Sequence, residues 1–148
     1  MKYPLLRLLL LAVLLAPAAG FAQQSQDFGE YVVHYNALNT NLLTPQVAQG
    51  YKIVRSPNRA LLNVTVLKKD QDTPGTPVAA AVSATATNLT GQLREIEIRE
   101  IRDAEGAIYY IGEFPVHNLE TYRFEVHVEI EGELEPLVVR FNQQFYTE

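Results

Sequence analysis

Between Tyr122 and Ile130 the chain alternates without a break. Tyr122, Phe124, Val126, Val128 and Ile130 are apolar, and Arg123, Glu125, His127 and Glu129 between them are polar. A period of two puts the two sets on opposite faces of an extended chain, which helical spacing cannot do. The pattern predicts a half-buried antiparallel strand. Six further segments read the same way. Residues 28–38 are rich in aromatic and β-branched side chains, and residues 59–68 set Leu62, Val64 and Val66 on one face. Residues 78–87 mix alanine with Val, Ser and Thr between turn signals and are assigned to a strand. Residues 93–102 alternate through Ile96 and Ile98 until Ile101 breaks the period, which predicts a bulge there. Residues 107–114 and 137–146 complete the set.

The segments between them carry turn chemistry. Residues 23–27 form a polar lead, and residues 69–77, with Pro74-Gly75, read as a solvent loop. Residues 103–106 make a hairpin loop. One short helical turn is expected near residues 45–49: Thr44 can cap it, Pro45 suits its first position and Gly50 its stop. Seven short strands, one helical turn and no long helical pattern predict an all-β fold. The expected architecture is a seven-stranded antiparallel sandwich of immunoglobulin or fibronectin type III kind. Two residues receive structural roles in it. Tyr122 stands where such sandwiches place a corner tyrosine whose hydroxyl bonds back to upstream backbone. Phe124 stands where antibody domains carry a disulfide cysteine.

The first 22 residues follow a different logic. Lys2 and Arg7 flank the start, residues 8–15 are uninterruptedly apolar, and residues 16–22 are rich in small side chains. That order describes a secretory signal peptide cut after Ala22, and the apolar run is too short for a permanent bilayer span. The expected product is a single domain over residues 23–148, exported to the periplasm without stable membrane insertion. The whole chain carries 12 Lys+Arg against 17 Asp+Glu; removing Lys2 and Arg7 leaves a formal charge of −7. Such acidity argues against a nucleic-acid partner. The absence of cysteine excludes lipidation at the cleavage site, disulfides, thiolate metal sites and Cys nucleophiles.

Residues 28–38 (FGEYVVHYNAL), 51–62 (YKIVRSPNRALL), 85–89 (TATNL) and 108–114 (IYYIGEF) together resemble a family of small exported bacterial proteins. Its members carry a single domain of unknown function, and the most distinctive pieces are His34-Tyr35-Asn36 and Val54-Arg55-Ser56. The resemblance spans essentially all of the expected mature chain. It implies an immunoglobulin-like sandwich and implies no activity.

The candidate chemistry is sparse. The histidines, His34, His117 and His127, show no short ligand spacing, so no metal or other cofactor is expected. Ser25, Ser56 and Ser83 lie in no nucleophile elbow, and the glycines are scattered singly, without a phosphate loop. Glu95 and Glu97 alternate with isoleucine as the wet face of a strand, so they are not read as a carboxylate pair. No catalytic residue is assigned. The least ordinary cluster is aromatic and basic: Tyr31, Tyr35, Tyr51, Lys52 and Arg55 surround the expected helical turn. Tyrosine and arginine carry binding energy at interfaces; His34, Tyr51 and Arg55 are therefore the candidate binding residues. The expected function is a non-enzymatic interaction module for an envelope protein or peptide, with a small-ligand or metal carrier as the alternative.

Overall fold

The computed structural model describes residues 24–148; the expected signal segment and its cleavage point lie outside them. Among the described residues, ten strands form two antiparallel sheets. The larger sheet is built from β1 (Gln24–Asp27), β2 (Tyr31–Asn39), β3 (Arg59–Asp70), β8 (Ile108–Pro115) and β7 (Arg99–Arg102), in that order, with β4 (Thr73–Pro77) also paired to β3. The smaller sheet has the order β10 (Leu137–Gln144), β9 (Thr121–Glu129), β5 (Ala81–Asn88) and β6 (Leu93–Ile96). The all-β, two-sheet expectation holds.

All seven expected strands are present, and three more arise for identifiable reasons. β1 is a fully exposed edge strand against β2, so it has no buried face and shows no alternation. β4 pairs with the end of β3 although it contains Pro74 and Gly75, residues that an edge strand tolerates and a sequence reader takes for a turn. The segment 93–102 is two strands. β6 pairs with β5 in the smaller sheet, and β7 pairs with β8 in the larger one. The irregularity expected at Ile101 therefore lies at Glu97 and Ile98, where the chain crosses between sheets, and Ile101 sits in regular register with Tyr109.

Gly112 makes that crossing possible. It lies inside β8, and a Cβ there would come within 2.8 Å of both the Glu97 carbonyl oxygen and Ile98 Cδ1. Only a residue without a side chain lets the crossing chain pass so close.

The facing sides of the sheets fill the core. Leu62, Val64 and Val66 of β3 meet Phe124, Val126 and Val128 of β9, all at 1% exposure or less. Phe114 packs edge-on against Phe124 at 5.5 Å, Phe145 at 5.8 Å and Tyr122 at 6.1 Å, while Phe124 stacks on Phe141 at 4.6 Å. Burying each such ring contributes roughly 1.5–3 kcal/mol, and edge-to-face contact adds about 0.5–1.5 kcal/mol per pair.

A second, small core lies on the outer face of the larger sheet. The helical turn is α1 (Pro45–Gly50), with the Thr44 hydroxyl accepting from the Val47 amide at 3.3 Å and Pro45 in its first turn. It lays Ala48 against Leu61 and Ile111, with Ile53 completing the cluster. Thr40 pins the connection: its buried hydroxyl donates to the Val54 carbonyl at 2.7 Å and accepts from the Ser56 amide at 2.9 Å.

Replacing Gly112 by Ala should cost about 1–3 kcal/mol by overpacking the crossing. Gly50→Ala, with nothing within 4 Å of the added atom, should be neutral or gain about 0.4–1 kcal/mol. Urea unfolding of both variants checks the contrast, and equal effects would contradict it.

Candidate functional site

The candidate binding residues go to three separate structural settings. Arg55 is a strap: its Nε donates to the Leu43 carbonyl at 2.8 Å and an Nη to the Asn41 carbonyl at 3.0 Å, which holds the chain entering α1. Tyr51 follows α1, and its ring lies 6.5 Å from that of Tyr109 on the outer face of the larger sheet. His34 sits mid-strand on β2 opposite Thr65, with Nδ1 buried and unpartnered. Asn63 Oδ1 on the next strand is likewise unpartnered. The three residues share a side of the molecule without converging on one feature.

The convergent arrangement lies on the other sheet. A groove of about 580 Å³ runs over the outer face of β5. Its floor is made of the short side chains of Ser83, Thr85 and Thr87. One wall is Arg123, Glu125 and His127 of β9, and the other is Leu93 and Glu95 of β6. Register explains the shape: Ser83 stands opposite His127, Thr85 opposite Glu125 and also Glu95, and Thr87 opposite Arg123 and also Leu93. Small residues on the middle strand between longer ones on its neighbours leave a trough along the strand.

The wall is electrostatically set. Glu125 accepts from Arg140 Nε at 3.0 Å and lies 2.6 Å from His127 Nε2. The His127 hydrogen bond, then that of Arg140, holds its carboxyl below the usual carboxylate range, so it stays anionic at neutral pH. Arg123, two residues along the same face, is exposed and makes no ion pair among the described residues. The trough thus offers hydroxyls along its floor, a free cation near one end and a fixed anion further along. A larger hollow of about 730 Å³ lies beside 129–136, but loop backbone and glutamates wall it, without convergent donors. Among the described residues, no group of three or more His, Asp or Glu side chains is placed to hold a metal ion.

Sequence reasoning sets Glu125 and His127 on the wet face of a strand, weighs Ser83 only as a nucleophile, and gives Thr85 and Thr87 no role. The signal was present as two alternating polar triplets, S-x-T-x-T and R-x-E-x-H. Their adjacency depends on β5 pairing with β9 across 32 intervening residues from Asn88 to Thr121, which periodicity does not reveal.

The family model described as "Domain of unknown function (DUF4426)" matches residues 25–148. The chain belongs to the DUF4426 family. It is also similar to a crystal structure of a DUF4426 family protein from Pseudomonas aeruginosa PAO1, with 38% identity and a TM-score of 0.72. That likeness covers 84% of this chain and 94% of the other. No curated protein matches the chain.

At the foot of β9 this DUF4426 domain carries a polar network. The Tyr122 hydroxyl donates to Glu120 Oε2 at 2.7 Å, and Asn88 Nδ2 donates to Glu120 Oε1 at 2.8 Å. The tyrosine thus ties its corner through a carboxylate two residues upstream, and the upstream backbone of His117 also acts on its hydroxyl. Burial, reinforced by the bond to Glu120, pushes the Tyr122 hydroxyl up to about 12. The same bond holds the Glu120 carboxyl below its usual range.

An unfolded tyrosine ionises near pH 10, whereas Tyr122 stays neutral in the fold until about pH 12. Its contribution is complete below pH 10 and disappears as pH rises toward 12. Chemical unfolding across that window should therefore show a shallower loss of stability in Tyr122→Phe than in the unaltered protein. Parallel slopes would contradict the assignment.

Proposed function

We propose that this DUF4426 domain is exported to the periplasm and acts there as a non-enzymatic, immunoglobulin-like module that recognises a protein or peptide. The trough over β5 carries this reading. It is open along a strand and long enough to pass three successive outward-facing side chains. An extended peptide presents side chains with the same period of two. Arg123 would receive a carboxylate of that peptide, the anionic Glu125 a cationic group, and the floor hydroxyls its backbone amides and carbonyls. β6, only four residues long, leaves the sheet edge beside the trough free for further main-chain pairing.

A further observation favours binding over turnover. Glu125 is held as an anion by two cationic or hydrogen-bonding partners, so it is poorly suited to trading protons near neutral pH. The export reading rests on the order of basic, apolar and small residues in 1–22.

Displayed libraries of random short peptides provide the test. Peptides selected on the immobilised domain should lose about tenfold or more in affinity to Arg123→Ala. They should be excluded by Thr85→Trp, which fills the floor, and bind unchanged to Glu105→Ala in the distant 103–106 hairpin. Selected peptides indifferent to both trough variants, or a library yielding no binder, would overturn the reading.

A further inference from the structure

Eight large hydrophobic side chains are exposed among the described residues, and six of them belong to one end of the sandwich. This is the end where β2, β5, β8 and β10 finish and β3, β6 and β9 begin. Leu42 and Val54 come from the β2–β3 connection, Leu89 and Leu93 flank the β5–β6 turn, Leu119 lies between β8 and β9, and Tyr146 follows β10. Leu89 is 76% exposed. Single exposed leucines are ordinary, but a set gathered from four separate connections is a surface with a purpose.

Charge divides the molecule along the same axis. The opposite end carries Asp72, Asp103 and Glu105, together with Glu131, Glu133 and Glu135 of the β9–β10 connection, against Lys68, Lys69 and Arg102. The apolar end carries Arg55 in its loops, with Arg94 and Arg123 at their margin, against Glu120 and Glu148. A surface of negative potential would turn the acidic end away and meet the apolar, cation-bearing end.

Backbone strain marks one of the same loops. Leu119 has a positive φ of 63°; among the described residues the other non-glycine residue with positive φ is Lys52, at 56°, in the turn after α1. A leucine held in the left-handed region with its side chain in solvent is disfavoured twice, by sterics and by exposure. Glycine or asparagine would serve that turn better, so the side chain itself has to account for the choice.

The direction of the chain adds a fourth observation. β1 begins at Gln24 opposite Tyr35 and runs away from the end where β2 finishes. The chain thus enters the fold from the apolar end's side, and the sequence ahead of it contains the apolar run 8–15. The expected signal segment, residues 1–22, would therefore join the domain on the side that carries the exposed leucines.

We propose that this end is a peripheral docking surface for an anionic lipid bilayer, with Leu89 and Leu119 entering the interface and Arg55 and Arg94 meeting lipid phosphates. Among the described residues no helix is long and apolar enough to cross a membrane, so the attachment is interfacial and reversible. It goes beyond the peptide reading: the trough lies on a sheet face beside this end and stays open when the loops are docked.

The test uses residues 24–148, which contain both sheets and the whole core described above, and vesicles of phosphatidylglycerol and phosphatidylethanolamine in equal parts. The domain should float with these vesicles and fall away in high salt or on pure phosphatidylcholine. Leu119→Gly with Leu89→Ser should weaken flotation about fivefold or more. Leu134→Ser, which removes the exposed leucine of the acidic end, should leave it unchanged. Leu119→Gly relieves the positive φ, so the fold should survive it, and thermal unfolding checks this. No flotation of the unaltered domain would overturn the proposal, as would an equal loss with Leu134→Ser. So would sedimentation showing that the Leu89 and Leu119 changes split a dimer, which would make a second copy the occupant. Capture by envelope vesicles with their proteins intact, but not by pure lipid, would assign the end to a protein partner and likewise overturn it.

Discussion

Everything in this fold depends on how two sheets without a disulfide are kept face to face. Phe114 from the larger sheet meets Phe124 and Tyr122 from the smaller one edge-on, and Phe145, just after β10, closes the group. These rings sit where the sheets approach, and valines from β3 and β9 extend the core away from them. With no cysteine in the chain, a domain of this length relies on burial for its stability; its size permits a sufficient core. The aromatic contact also fixes sheet separation, so it determines where the outer faces and end loops lie.

The sequence revealed what burial writes into it. β3 and β9 have one face in the core and one in solvent, so their alternation is plain, and the turn chemistry around α1 is equally explicit. It did not reveal what pairing alone determines. β1 has no buried face and therefore no pattern, and β4 hides behind Pro74 and Gly75 because an edge strand can carry both. The switch of 93–102 between sheets depends on Gly112, whose role comes from a neighbour more than ten residues away. The candidate site divides in the same manner. His34, Tyr51 and Arg55 stand out by residue type, yet Arg55 holds two backbone carbonyls and Tyr51 covers the larger sheet. The trough residues are ordinary by type, and only the β5–β9–β6 register makes them a feature.

The molecule then separates into regions with different tasks. The core is apolar and closed. The outer face of the larger sheet is partly covered by α1 and the strap of Arg55. The outer face of the smaller sheet is open, floored by hydroxyls and walled by fixed charges. One end gathers exposed leucines, and the other gathers carboxylates. In the proposed arrangement the leucine-bearing end rests on the bilayer, the acidic end projects from it, and the trough lies across the flank between them. Membership of the DUF4426 family extends this architecture to the relative from Pseudomonas aeruginosa PAO1, which matches over nearly its whole length.

The central claim is that rings from opposite sheets hold the sandwich together, and a double-mutant cycle between Phe114 and Phe124 tests it most directly. Unfolding free energies of Phe114→Leu, Phe124→Leu and the double variant should give a coupling of about 0.5–1.5 kcal/mol. Single losses that add, with a coupling within about 0.3 kcal/mol of zero, would contradict the account and leave the sheets held by the aliphatic core alone.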